Sequence, residues 1–262
     1  MITVGIDLSA NPKKTGVAVI DWGESSAVLR EVRLGANDAD LLALIASADK
    51  AGIDCPFGWP DLFVSMVADH QAGKPVTISV TREEMRLRQT DIWARRVIQG
   101  LVPLSVSTDK LGIAAMRCAT LLGALEKSGV AVDRTGAGPV CEVYPGAALA
   151  AWGIARQGYK GAKTAHVERR HEMLPVLVDQ MPWLDLAGFE EVLVATDDAL
   201  DALLCAVIAR WQIAGWCWPV PRSPEEGAEA AAREGWMSIP RSDIGLRDYP
   251  ALGERHVEGP HG

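Results

Sequence analysis

The chain has 262 residues, 48% of them hydrophobic, and a formal net charge of −8 at pH 7. That length and composition allow one large core or two modest ones and exclude the disordered, collagenous and fibrous classes. The acidic balance argues against strong non-specific binding to a nucleic-acid backbone, which draws on neutralised phosphates, but it leaves room for a local basic groove.

The opening residues 2–7 form an apolar run ending in Asp7 and predict a buried strand. The turn Asn11-Pro12-Lys13-Lys14 leads to a second strand over 15–22, and alternation over 26–33 predicts a third with one wet face, which completes a meander. Asn37 or Asp38 can cap a helix carrying Leu41, Leu42, Leu44, Ile45 and Ala48 on one side, followed by a short strand ending at Asp54. A strand-helix-strand succession implies a right-handed crossover, so this fourth strand is expected parallel to the first.

Residues 60–135 read as a helical insertion: a helix from Pro60-Asp61 through Met66, a mixed-charge segment from Thr81 to Ile98, and a helix over 111–128. A fifth strand at 139–144 ends at Tyr144-Pro145-Gly146, and helices follow near 147–154, 163–180 and 196–213. After Trp216 the chain is rich in Pro, Gly and Glu, although 235–240 reads as an apolar piece docking back on the body. There is no low-complexity segment and no repeat beyond a Gly-Ile-Asp echo at 5–7 and 52–54. The expected organisation is one domain over 1–240 and a tail over 241–262.

Acidic residues stand where apolar runs stop: Asp7, Asp54, Glu142 within its strand, and Asp198 with Asp201 opening the last long helix. Carboxylates in such places are costly to bury uncompensated. If strands one and four are neighbours and the late helix packs on their ends, the acids converge and repulsion among them calls for a cation or a shared proton. Asp7, Asp54, Asp198 and Asp201 are hard-oxygen ligands suited to Mg²⁺ or Mn²⁺, with Asp7 bridging two ions ~3.5–4 Å apart, and hydrolytic phosphoryl transfer is the commonest use of such a cluster. Glu142 joins the candidate catalytic set, or else pairs with a buried arginine or orients a lysine such as Lys160. Each acid of the last helix has an alternative role as a first-turn residue favoured by the helix dipole, with Thr196 as the cap.

Among the arginines of 82–96, Arg82, Arg88 and Arg95, together with Lys160, are candidates for substrate phosphate contacts, although a mixed-charge helix is also a solvated one. Trp59 and Trp236 could stack on bases or simply pack. The five cysteines have no zinc-like spacing with the histidines at 70, 166, 171, 256 and 261, so reduced, mostly buried thiols are expected. No apolar run reaches the ~20 uncharged residues of a membrane span, and no secretory leader precedes the first strand, so a cytoplasmic setting without a membrane partner is expected.

The order of elements is similar to that of the ribonuclease H-like fold, an α/β class with a mixed five-stranded sheet, three strands antiparallel and two parallel, flanked by helices. Here a helical insertion separates strands four and five. The segments Gly5-Ile6-Asp7-Leu8-Ser9-Ala10, Gly52-Ile53-Asp54-Cys55-Pro56-Phe57-Gly58-Trp59-Pro60, Glu142-Val143-Tyr144-Pro145, Tyr159-Lys160, Thr196-Asp197-Asp198-Ala199-Leu200-Asp201-Ala202-Leu203 and Glu234-Gly235-Trp236 go further. In order and spacing they resemble the domain-of-unknown-function family 429, regarded as predicted nucleases of this fold, and the Asp-x-x-Asp-Ala-Leu helix start looks like that of the RuvC-type resolvases. The resemblance implies a metal-dependent nuclease acting on nucleic acid or a nucleotide-like substrate. Two alternatives stay open: a relative of the actin-like ATPases, disfavoured by Ser9 and Pro56 where those strand turns carry glycine, and a catalytically silent binding module.

Overall fold

A computed structural model describes residues 1–76, 81–107 and 111–250. The chain runs β1 (Ile2–Asp7), β2 (Gly16–Trp22), β3 (Ala27–Leu34), α1 (Asp38–Ser47) and β4 (Lys50–Asp54). The helices α2 (Asp61–Gln71), α3 (Arg82–Arg86), α4 (Gln89–Val97) and α5 (Leu111–Lys127) come next. After them lie β5 (Val140–Val143), α6 (Pro145–Ala151), α7 (Thr164–Gln180), β6 (Leu184–Asp185), α8 (Glu190–Ala195), α9 (Asp197–Ile213), α10 (Ala228–Glu234) and β7 (Met237–Ser238). A short 3₁₀ turn at Pro12–Lys14 joins the first two strands, with the Asn11 side chain accepting from Lys13 N–H.

The strands form one mixed sheet in the order β6-β3-β2-β1-β4-β5-β7. β1, β2 and β3 are antiparallel, whereas β4, β5 and β7 add in parallel on one side and β6 on the other. The expected meander and parallel fourth strand are present, but the sheet has seven strands rather than five. The two extra strands are edge pieces of two residues each, too short to carry an alternation in sequence. β7 belongs to the apolar piece expected to dock back. The segment over 81–98 is two helices, broken at Leu87 and Arg88, because the Arg88 side chain is drawn into the interior.

Alternation along the strands sorts side chains between two helical layers. Val4, Ile6, Ala51, Ile53 and Val140 face α1 and α5. On the other face, Ala18, Ile20, Trp22, Leu29 and Val32 pack with α7, α8 and α9. Helix α9 lies directly on the sheet: a Cβ added at Gly5 would fall 1.9 Å from the Ala202 carbonyl oxygen, and one at Gly52 would fall 2.4 Å from that of Cys205. Backbone therefore meets backbone there, and only residues without a side chain permit it. The helix is buried all round from Ala199 to Trp211, with Asp201 and Arg210 among its buried residues.

Residues 241–250, expected as tail, dock beside a tryptophan cluster: Trp183 Nε1 donates to the Leu246 carbonyl at 2.8 Å, and the Tyr249 hydroxyl shares its one proton between Gly23 O and Ser26 O, each at 2.8 Å. Residues 251–262, including His256 and His261, lie outside the described residues. All five cysteines are free and four are buried. Among the described residues, no helix is long and apolar enough to cross a membrane.

Candidate active site

Asp7 and Asp54 are paired in register at the ends of β1 and β4. Each stands two residues beyond a glycine that faces α9, so period-two alternation turns both carboxylates toward that helix. A Cβ at Gly16, the β2 partner of Asp7, would lie 2.1 Å from the Asp198 carbonyl oxygen, which seats the first turn of α9 against the same strand ends. Thr196 caps the helix by accepting from Asp198 N–H at 3.1 Å. Asp201, one turn on, is 1% exposed. Three strand and helix ends thus bring Asp7, Asp54 and Asp201 together, with half-buried Asp198 at the rim.

The acids feel one another. Burial raises the Asp7 carboxyl well above the ordinary aspartate range, and the charges of Asp201 and Asp54 add to the rise. Burial pushes Asp54 up to about 7 against the opposing pull of Lys160, with Asp201 assisting the rise. Asp198 is raised by burial and by Asp197. Among the described residues, no protein group donates a hydrogen bond to the Asp7 or Asp54 carboxylates.

Asp201 is held differently. The Tyr159 hydroxyl donates to Oδ1 at 2.8 Å, and Lys160 Nζ stands 2.7 Å from Oδ2. The two carboxylate oxygens are thus held from two sides, by a hydroxyl and by an ammonium. Burial would lower the Lys160 ammonium, but Asp201, Tyr159, Asp54 and Asp7 outweigh it and raise it well above its ordinary value. Between flanking Gly158 and Gly161, Tyr159 and Lys160 are positioned by Arg170, a fully buried guanidinium on α7. It donates to the carbonyls of Tyr159, Gly161, Val194 and Ala195 at 2.5–3.0 Å and so ties the lysine loop to the end of α8 that leads into α9. Sequence reading missed Arg170; the available signal was an arginine in the helical row of Met173, Leu174 and Leu177.

Glu142 borders the site from the other face of the sheet. Its strand register places it with Val140 on the opposite face from Cys141 and Val143, which pack against α9. Arg88 grips it with Nη1 at 2.8 Å and Nη2 at 2.6 Å, and the same guanidinium binds Asp91. Glu142 Oε2 also accepts from Phe57 N–H at 2.9 Å, which pins the loop leaving Asp54. Buried pairing with an arginine is therefore its role here, and Lys160 pairs with Asp201 rather than with Glu142.

Arg88 as a phosphate contact is corrected likewise, because it is 2% exposed and shared by two carboxylates. Arg95 pairs with Glu83, and Arg82 lies exposed on α3. Glu234 locks the insertion from the other side, accepting from the backbone N–H of Asp61 and Gln89 at the starts of α2 and α4. Of the tryptophans proposed to stack on bases, Trp236 is buried against Trp93 and Trp59 is half-buried against the α5 core. His166 bonds through Nδ1 to the Gly158 carbonyl.

The donor set suits a hard cation: all ligand atoms are carboxylate oxygens, two carboxylates lack protein donors, and Asp201 has a tyrosine fixing its other oxygen. Among the described residues, no three acidic, histidine or cysteine side chains stand in a ligand cage. A pocket of about 290 Å³ opens beside Asp54, between the insertion and the strand ends.

A family model described as "Protein of unknown function (DUF429)" matches residues 5–226, so the chain belongs to that family. No curated protein and no solved structure matches the chain.

Proposed function

We propose that this member of the DUF429 family is a divalent-metal-dependent hydrolase of phosphodiester bonds, a nuclease on a ribonuclease H-like sheet. The observation that carries the reading is the excess of negative charge on one face: Asp7, Asp54 and Asp201 converge from β1, β4 and α9 against the single ammonium of Lys160. The order of three antiparallel strands, a crossover to a parallel fourth and a closing helix on the central pair supports the fold reading.

Asp7, Asp54 and Asp201, with Asp198 at the rim, would hold Mg²⁺ or Mn²⁺, which would supply positive charge to the phosphate and a more acidic water. The protein's own groups prepare the place. Tyr159 holds Asp201 in one rotamer, the Glu142 contact with Phe57 N–H fixes the loop after Asp54, and Arg170 sets the position of Lys160. Lys160 balances the acids while no cation is bound; its side chain is half exposed, so it can turn from Asp201 to a substrate phosphate.

One observation favours the rival silent module: no three ligands are prearranged among the described residues. The deciding assay incubates purified protein with single-stranded, duplex and branched DNA and RNA, and with nucleotides, in Mn²⁺ or Mg²⁺. Turnover lost in chelator and in Asp7→Asn and Asp201→Asn is expected. Turnover that survives Asp7→Asn, or none from protein shown to bind Mn²⁺, overturns the reading.

A further inference from the structure

The pocket beside Asp54 is walled by apolar groups from two directions: Pro56 and Met237 near the sheet, and Pro103, Leu104 and Leu111 from the insertion. Tyr144 adds an aromatic face. Its ring lies against Gly146, where a Cβ would come within 3.2 Å of Cε2, so the glycine fixes how the ring is presented. The lining also includes the cations Arg156 and Lys160, and the Arg88–Glu142 ion pair, which is already neutralised. Apolar walls, one flat ring and cations beside a carboxylate cluster match a molecule with a planar base at one end and phosphate at the other.

The remaining surface argues against a duplex. Arg88 is internal and Arg95 is paired with Glu83, so two of the three arginines expected to contact phosphate already have carboxylate partners within the chain. The chain carries a net charge of −8. Duplex binding rests on neutralised phosphates along a groove, and a paired base cannot enter a pocket without leaving its stack.

We infer that this pocket receives a single unpaired nucleotide unit, its base against Tyr144 and Leu104 and its phosphate toward Lys160 and Asp54, so that the substrate is a free nucleotide or an unpaired strand end. The inference rests on the hydrolase reading for its phosphate and is tested by binding, which does not depend on turnover. Titrating the full chain, in chelator and in Ca²⁺, with 5′-mononucleotides, a 12-nucleotide single strand and a 12-base-pair blunt duplex is the experiment. Mononucleotides should bind, the single strand should compete, and the duplex should compete at least tenfold less well. Leu104→Trp, at a position 54% exposed, fills the pocket without burdening the core and should weaken mononucleotide binding at least tenfold at unchanged Tm. Tyr144→Leu should act in the same direction, and Arg95→Ala should leave binding unaltered. Equal competition by the duplex, no mononucleotide binding, or wild-type affinity in a folded Leu104→Trp overturns the inference. Nucleotide binding without hydrolysis in Mn²⁺ removes the hydrolase and keeps the pocket, whereas cleavage inside a duplex without nucleotide binding does the reverse.

Discussion

The two faces of one sheet carry two ionic clusters that are both acid-rich but differ in how their carboxylates are partnered. On the α5 side, Arg88 is forked between Asp91 and Glu142, and Glu142 also accepts the Phe57 N–H. On the α9 side, Asp7, Asp54 and Asp201 share Lys160, and two of the three acids have no protein donor among the described residues. A buried charge with all its partners is explained by the fold; one without them points beyond the chain. Glu142 and Asp54 are both carboxylates in or at the end of an apolar strand, so partner counting separates them where residue type does not.

The sharpest way to break the comparison is to strip the fully partnered cluster. Arg88→Ala leaves Asp91 and Glu142 buried without their cation and should cost about 3–5 kcal/mol in chemical denaturation, with metal making no difference. A small loss would mean that water reaches this cluster. Next, Asp54→Asn should reduce turnover by about 100-fold or more, equivalent to ~2.7 kcal/mol of barrier, at near-normal stability. Glu142→Gln should show the inverse pattern, with its main effect in the melting curve. Equal activity loss from both would dissolve the distinction.

Asp7→Asn removes repulsion and should stabilise the metal-free chain by about 1–3 kcal/mol. In excess Mg²⁺ the order of wild type and variant should reverse; destabilisation in both conditions would assign Asp7 to the fold. The most gradual effect is in pH. Asp54 has its folded-state pKa raised to about 7, so the folded chain binds more protons than the unfolded one between the ordinary aspartate range and that value. Its stabilising contribution is full at low pH and is lost as pH rises through 7. The metal-free chain should therefore lose on the order of 1 kcal/mol per pH unit in that window, and Asp54→Asn should flatten the slope. A slope of opposite sign would show that Lys160 rather than burial governs the site.

The strands holding Asp7 and Asp54 were legible because a carboxylate ending an apolar run has few structural reasons to be there, and Asn37 and Thr196 advertised their helices as caps. The edge strands β6 and β7 escaped because two residues show no period. Arg88 was misread for a different reason: its neighbours Arg86 and Glu84 are exposed, and nothing local tells that the helix breaks to turn one arginine inward. The partner that explains it, Glu142, lies 54 residues away. Tyr159 and Lys160 stood out as a motif, but their purchase on Asp201 depends on Arg170, whose four carbonyl partners are invisible without the fold.

The close seat of α9 has a consequence for how the site can be altered. Because the helix rests on bare backbone at Gly5 and Gly52, its height above the strands is set by missing methyl groups rather than by side chains that can yield. A single methyl at Gly52 would act as a wedge under a beam, tipping the far turn of the helix and prising Asp201 from Asp54 with every acid still in place. The site can thus be detuned mechanically, from beneath the helix, by residues that carry no chemistry at all.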